Sequence, residues 1–265
     1  MERDGVTRVT RCACWRRESA MRHVDGARIP RRYQHCDFAN FRDYNDKLRR
    51  ARQRAHKLAQ EFPVVDRGLF LEGPPGVGKT HLAVAVLRYV VTARGARGVF
   101  YDTRDLLRLI RSTYDPVVRT TELEILRPVM TADLLVLDDL GAEKTSEWVE
   151  ETLNLIVNTR YNERRVTVFT SNYEDRPDES DPDTLLCRVG FRMRSRLHEM
   201  CDFLDLDAAD YRMDEASQAT DDELVSLWKR RRRSGRLPGV KPAPAKAQGR
   251  EPKLDLKWPG GRAGS

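Results

Sequence analysis

The residues best suited to chemistry are Gly73-Pro74-Pro75-Gly76-Val77-Gly78-Lys79-Thr80-His81, which fit the pattern G-x-x-x-x-G-K-[ST]. Each residue type has a physical task. Glycines let the backbone turn tightly and bring several N–H groups up to phosphate oxygens. The positive end of a following helix faces the same anion. The lysine neutralises charge on the β- and γ-phosphates, and the threonine hydroxyl binds Mg²⁺. The pattern has this meaning only between a strand and a helix. Gly68-Leu-Phe-Leu71 reads as a short buried strand, and the run beginning Leu82-Ala-Val-Ala-Val-Leu87 reads as a helix to Arg94, stopped by Gly95. The stretch is a phosphate-binding loop.

Two further groups sit at the ends of apolar runs. Leu134–Leu137 reads as a strand ending in Asp138-Asp139. After a phosphate loop, the first acid is the candidate to hold Mg²⁺, usually through water, and the second to orient an attacking water. Alone, two acids at a strand end would be an ordinary turn. Val166–Thr170 reads as the next strand, followed by Ser171-Asn172. Asn172 is placed to reach a γ-phosphate or that water, although by itself it is a common turn residue.

These groups need a frame. Strands are expected at 68–71, 98–101, 134–137, 166–170 and 203–206, with helices between them. That alternation implies an α/β fold with a parallel five-stranded sheet covered on both faces. Asn45 is placed to cap a helix through Glu61, with Leu48, Ala51, Ala55 and Leu58 on one face. Thr103 opens a helix, Thr121 and Glu124 have capping-box spacing for another, and 184–200 reads as helical around Gly190. Ile29–Tyr33 with Phe38 and Phe41 reads as a docking segment with aromatic anchors. The expected divisions are a basic segment 1–23, a lead-in 24–66, a nucleotide-binding core 67–213, a helix 214–229 and a disordered basic tail 230–265.

Charge is uneven. The chain carries +7 overall, yet residues 229–265 hold twelve Lys/Arg against two acids, a net of +10 that leaves the remainder at −3. A basic tail suits an anionic partner, nucleic acid first, or is simply a solvated end. The chain opens on no signal-like apolar segment and has no run that could span a membrane, so the expected location is the cytoplasm. Five cysteines in an irregular set do not form a disulfide framework. Cys12-Ala13-Cys14 could supply half of a zinc site but lacks a second pair.

The order of strands, Asp-Asp and Thr170-Ser171-Asn172 resembles the AAA+ ATPases, and within them the DnaC-like helicase loaders and IstB-like transposition ATPases. Gly190-Phe-Arg192-Met-Arg194-Ser195-Arg196-Leu197 is similar to that branch's box with a Ser-Arg-Leu core. The resemblance implies an arginine finger at Arg196 that reaches a neighbouring subunit's nucleotide, with Arg192 one turn away on the same face. Ile29–Tyr33 resembles the family's lead-in, which passes near the adenine, and Asp210-Tyr211-Arg212 its ending after the last strand. It covers roughly residues 24–213.

It implies an ATPase using ATP and Mg²⁺ at the interfaces of a homo-oligomer, without a full lid domain. The implied partners are a replicative helicase or a transposase, and single-stranded DNA. An adaptor ordered by ATP with little turnover is a third reading, because Asp139 stands where many relatives have Glu. Cys12-Ala13-Cys14 is similar to the second half of a family C-x-x-C…C-x-C element, implying a truncated start.

Overall fold

A computed structural model describes residues 24–177, 181–213 and 218–234. The Cys12 and Cys14 pair and the basic stretch after Ser234 lie outside the described residues. Five parallel strands form one sheet: β1 (Gly68–Glu72), β2 (Gly98–Asp102), β3 (Leu134–Asp138), β4 (Val166–Ser171) and β5 (Cys201–Asp205), in the order β2-β3-β4-β1-β5. The α/β class with a five-stranded parallel sheet is as the sequence indicates.

The alternation of side chains along each strand sorts the core into two layers. Leu69, Leu71, Leu134, Val136, Val166 and Val168 pack on one side with α1 (Asp46–Glu61) and α2 (Lys79–Arg94). Phe70, Leu135, Leu137 and Phe169 face the other way, toward α3 (Thr103–Ser112), α4 (Glu122–Thr131), α5 (Glu147–Asn162) and α6 (Leu185–Met200). β3 and β4 are buried along their whole length; in β3 this matches the apolar run Leu134–Leu137, whereas the Thr167, Thr170 and Ser171 hydroxyls of β4 find partners inside the protein.

The helix ends follow local chemistry. The Asn45 side chain accepts from Leu48 N at 3.0 Å and starts α1. Thr121 and Glu124 form the reciprocal capping box of α4. Gly95 ends α2 in the left-handed conformation. α6 is broken at Gly190, whose φ of 76° and ψ of 162° interrupt the helix before the arginine-rich half.

β1 to β4 each run one residue past the expected end, and two elements differ further from the sequence reading. β5 begins at Cys201 and ends at Asp205, not at 203–206, because Gly68 and Cys201 pair directly at the foot of β1. The C-terminal helix, α7, spans Asp221–Ser234 and so runs past the expected boundary at 229. It seats Leu224 against Ala209, Tyr44 and Tyr211. The aromatic anchors of the lead-in fold onto this chain itself: Phe38 meets His56 edge-on at 4.8 Å and Phe41 meets His81 at 5.4 Å. Cys36, Cys187 and Cys201 are free thiols. Among the described residues no helix is long and apolar enough to cross a membrane.

Arg160 is a buried cation held by carbonyls and a hydroxyl. It is 1% exposed and donates to the carbonyls of Val129 (2.9 Å), Met130 (3.3 Å), Ala132 (3.0 Å) and Val166 (2.6 Å), and to Thr167 Oγ1 (2.8 Å). Burial pulls its pKa down to about 9. The guanidinium thereby joins the negative C-terminal end of α4 to the start of β4. Arg160→Leu should lower unfolding stability on the order of 3 kcal/mol, since each orphaned acceptor costs about 1–3 kcal/mol. Urea unfolding midpoints check this; an unchanged midpoint would mean that water replaces the guanidinium at no cost.

Candidate functional site

The loops leaving β1, β3 and β4 lie side by side at the carboxyl edge of the sheet, where open α/β folds bind ligands. A cavity of about 460 Å³ opens there. Its floor is the phosphate loop. At Gly76, φ is +81° and an added Cβ would lie 1.6 Å from Asp210 Oδ1. At Gly73, φ is +136° and a Cβ would lie 2.0 Å from the Leu206 carbonyl oxygen. Both positions need glycine, because the segment after β5 presses on the loop from outside.

Lys79, the first residue of α2, is 7% exposed. Its Nζ donates to the carbonyls of Gly73 (2.7 Å) and Pro74 (2.8 Å) and to Asn172 Oδ1 (2.8 Å). Burial lowers its pKa to about 8, against the pull of the Asp139 and Asp138 charges. Asn172 uses its other end on the acids, donating from Nδ2 to Asp139 Oδ1 at 2.5 Å. Thr80 Oγ1 lies 2.9 and 3.2 Å from the two oxygens of Asp138. Burial raises the Asp138 carboxyl to about 6, although hydrogen bonds from Thr170 and Thr80 hold it down. Asp139 is also raised, mainly by burial, while Arg104 counters the shift.

The structure thus brings Gly73, Pro74, Pro75, Gly76, Val77, Gly78, Lys79, Thr80 and His81 into one loop and helix start, with Asp138, Asp139 and Asn172 against them. His81 Nε2 is within 2.9 Å of Asn40 Oδ1 and 3.0 Å of the Asp37 carbonyl, which ties the lead-in to the loop. Arg192 and Arg196 are not among the residues lining the cavity. Arg196 lies on the outer part of α6, where Nη1 donates to the Arg192 carbonyl at 3.2 Å. Arg194, between them, is held by Asp175 at 2.5 and 3.2 Å.

Several lining residues were not singled out as site residues from the sequence. Arg212 and Tyr211 border the cavity, and the Arg212 charge helps to depress Lys79. Arg32, His35 and Arg42 line it from the lead-in. The only sequence signal for any of them is the family-like stretches that contain Arg32 and Tyr211-Arg212. No spacing rule links these distant segments.

The donor chemistry fits Mg²⁺, which prefers a few carboxylate or hydroxyl oxygens completed by water and phosphate. Thr80 and Asp138 supply one of each. The rest of the cavity has a cation, glycine-turned backbone and a helix start at one end, and aromatic and imidazole surfaces at the other, which is the shape and polarity of a nucleoside phosphate.

A phosphate loop before α2, acids ending β3, a polar residue ending β4 and this strand order define the AAA+ class of P-loop proteins. The model of the IstB-like ATP binding protein family matches residues 9–219, and the chain belongs to that family. The replicative helicase loader DnaC of Buchnera aphidicola subsp. Schizaphis graminum is 29% identical over 144 residues, covering 54% of this chain and 58% of that protein. DnaC of Escherichia coli K12 is 28% identical over 140 residues, 53% and 56% of the two chains. The chain spans little more than half the length of these curated relatives. A crystal structure of the DnaC helicase loader superimposes with a TM-score of 0.59 at 32% identity, covering 67% of this chain and 99% of that one.

Glu72, at the end of β1, gives a test of the electrostatics beside the loop. Burial lifts its carboxyl to about 7, the neighbouring acids Asp175, Asp205 and Glu174 add to the shift, and the Asp175 N–H at 2.7 Å opposes it. The folded chain therefore binds its proton more tightly than the unfolded chain, so stability falls as pH rises from about 4.5 toward 7. Glu72→Gln keeps an acceptor for Asp175 and removes the ionisation. It should stabilise the protein at pH 8 and leave it unchanged at pH 4, measured as urea midpoints; an equal shift at both pH values would contradict the raised carboxyl.

Proposed function

We propose that this chain is a Mg-dependent ATPase that acts as a replicative helicase loader. The observation that carries the ATPase reading is the Lys79–Asn172–Asp139 chain beside the Thr80–Asp138 pair. Lys79 already sits on carbonyl oxygens with little water around it, so phosphate oxygens can replace those partners at small desolvation cost. Thr80 and Asp138 would hold Mg²⁺, which supplies charge neutralisation of the phosphates when bound. The reaction is attack of water on the γ-phosphorus with loss of the bond to the β–γ bridging oxygen, giving ADP and phosphate. Asp139, raised by burial, orients that water and takes its proton. Asn172 fixes Asp139 against Lys79 and faces the transferred group.

Arg196 is proposed as a finger for a second copy's nucleotide, with Arg192 beside it, because both lie off their own chain's cavity. The active form is then an ATP-dependent homo-oligomer. Helicase loading is supported by the relatives named as loaders at 28–29% identity and by the solved loader at 32%. Single-stranded DNA is the proposed nucleic-acid partner. Membership of the IstB-like family, with the resemblance to transposition ATPases, supports a second reading, the ATPase partner of a transposase. Affinity purification from the native host separates the two by which protein co-purifies.

The site makes separable predictions. Lys79→Ala should abolish ATP binding with the fold intact by circular dichroism, and Asp138→Asn should weaken only Mg-dependent binding. Asp139→Asn should keep ATP binding and hydrolyse slowly. Wild-type affinity in Lys79→Ala would sink the loop assignment, and equal binding losses in both acid variants would sink the division between them.

Assembly is tested by mixing. Arg196→Ala should bind ATP nearly normally yet turn over on the order of 10³-fold more slowly, the usual cost of a missing finger. Adding Lys79→Ala chains should restore phosphate release, since one copy then offers a loop and the other a finger. Co-assembled mixtures no more active than either variant alone would remove the shared site.

A further inference from the structure

We propose that Thr170 is a positioning residue whose single hydroxyl sets both acids of the site; the inference rests on the nucleotide-binding reading above. Thr170 lies in β4 and is 1% exposed, so its hydroxyl must find partners within the protein. The β3–β4 ladder ends at Leu137 and Phe169, whereas β4 stays paired with β1 as far as Glu72 and Ser171. Past Asp138, which still pairs with Asp102 of β2, β3 leaves the sheet alongside Thr170. It does so through Asp139, a non-glycine residue at φ +58°. Two amides of the departing chain turn to Thr170: Leu140 N donates to its carbonyl at 2.8 Å and Asp139 N to its Oγ1 at 2.9 Å.

The direction of the remaining bond is then fixed. A threonine hydroxyl has one hydrogen and two lone pairs. The Asp139 amide can only donate, so it occupies a lone pair, and the hydroxyl hydrogen is left for Asp138 Oδ1 at 2.6 Å. One oxygen thus orients the Asp138 carboxylate and anchors the backbone from which the Asp139 side chain projects. Thr80 also holds Asp138, from within reach of both carboxylate oxygens, but Thr80 is itself a candidate metal ligand. Thr170 is the grip that binding need not disturb. Serine would preserve it, and valine would keep the shape and lose it.

The test compares Thr170→Val, Thr170→Ser and Thr170→Ala in the full chain. Affinity for a fluorescent ATP analogue is measured with Mg²⁺ and with EDTA, alongside kcat, KM and the thermal midpoint. Thr170→Val should bind the analogue in EDTA as wild type does, and lose about tenfold of the tightening by Mg²⁺, as is usual when a partner of a metal ligand is removed. Its kcat should fall on the order of 10²-fold, the scale of a misplaced reacting group, and Thr170→Ser should recover most of both. If the valine variant does not fold, alanine against serine gives the same comparison, since they differ only by the oxygen. Valine and alanine variants with wild-type Mg²⁺ dependence and turnover would overturn the proposal. So would a serine variant as impaired as valine, which would assign the position to methyl packing. A wild-type chain that binds no nucleotide would instead overturn the reading of the cavity.

Discussion

A buried ammonium must be surrounded by oxygen, and this requirement organises the carboxyl edge of the sheet. Lys79 draws its partners from the loop after β1, through Gly73 and Pro74, and from the end of β4, through Asn172. Those three bonds can exist together only if β1 and β4 are neighbours in register, as they are from Leu69 and Val168 to Glu72 and Ser171. Asn172 then passes the constraint on to Asp139. The charge of one lysine thus relates three strand ends that are far apart in the chain.

The surrounding glycines and the segment after β5 serve the same end. Leu206 N donates to the Glu72 carbonyl at 2.8 Å and Tyr211 N to the Gly76 carbonyl at 3.0 Å, so the last part of the core braces the loop from behind. Arg42 extends the brace: Nη1 donates to the Ala219 carbonyl at 2.7 Å and Nε to Asp221 Oδ1 at 2.9 Å, linking the cavity rim to the base of α7. The C-terminal helix is therefore tied to the rim of the site through Arg42, although none of its residues lines the cavity.

Much of this was legible in the sequence, for physical reasons. Loop, acids and Asn172 each combine a residue type with a strand end, and buried parallel strands announce themselves as apolar runs. Local capping was equally legible, at Asn45, Thr121 and Gly95, because a cap depends on neighbours within four residues. What escaped depends on contacts between distant segments. Arg212, Arg42 and His35 reach the cavity only after the chain folds, and apart from the family-like stretch around Arg212 nothing in their own surroundings marks them. β5 was misplaced by two residues because Phe203-Leu-Asp-Leu206 looks like a strand, while pairing with Gly68 decides where the strand starts. Arg160 reads as one more surface arginine on a helix, yet it is among the most buried side chains.

The two ends of the cavity have different origins. Its phosphate end is made of strand termini, whose positions are fixed by the ladders of the whole sheet. Its other end is made by the lead-in, with Arg32, Tyr33, His35, Asn40 and Phe41 lying outside every strand. A substitution among these residues alters the wall there without moving a β-pair, whereas a change in strand register disturbs everything at once. Selectivity for the group seated at that end can therefore drift, or be re-engineered, within a dozen residues while the phosphate chemistry is inherited unchanged.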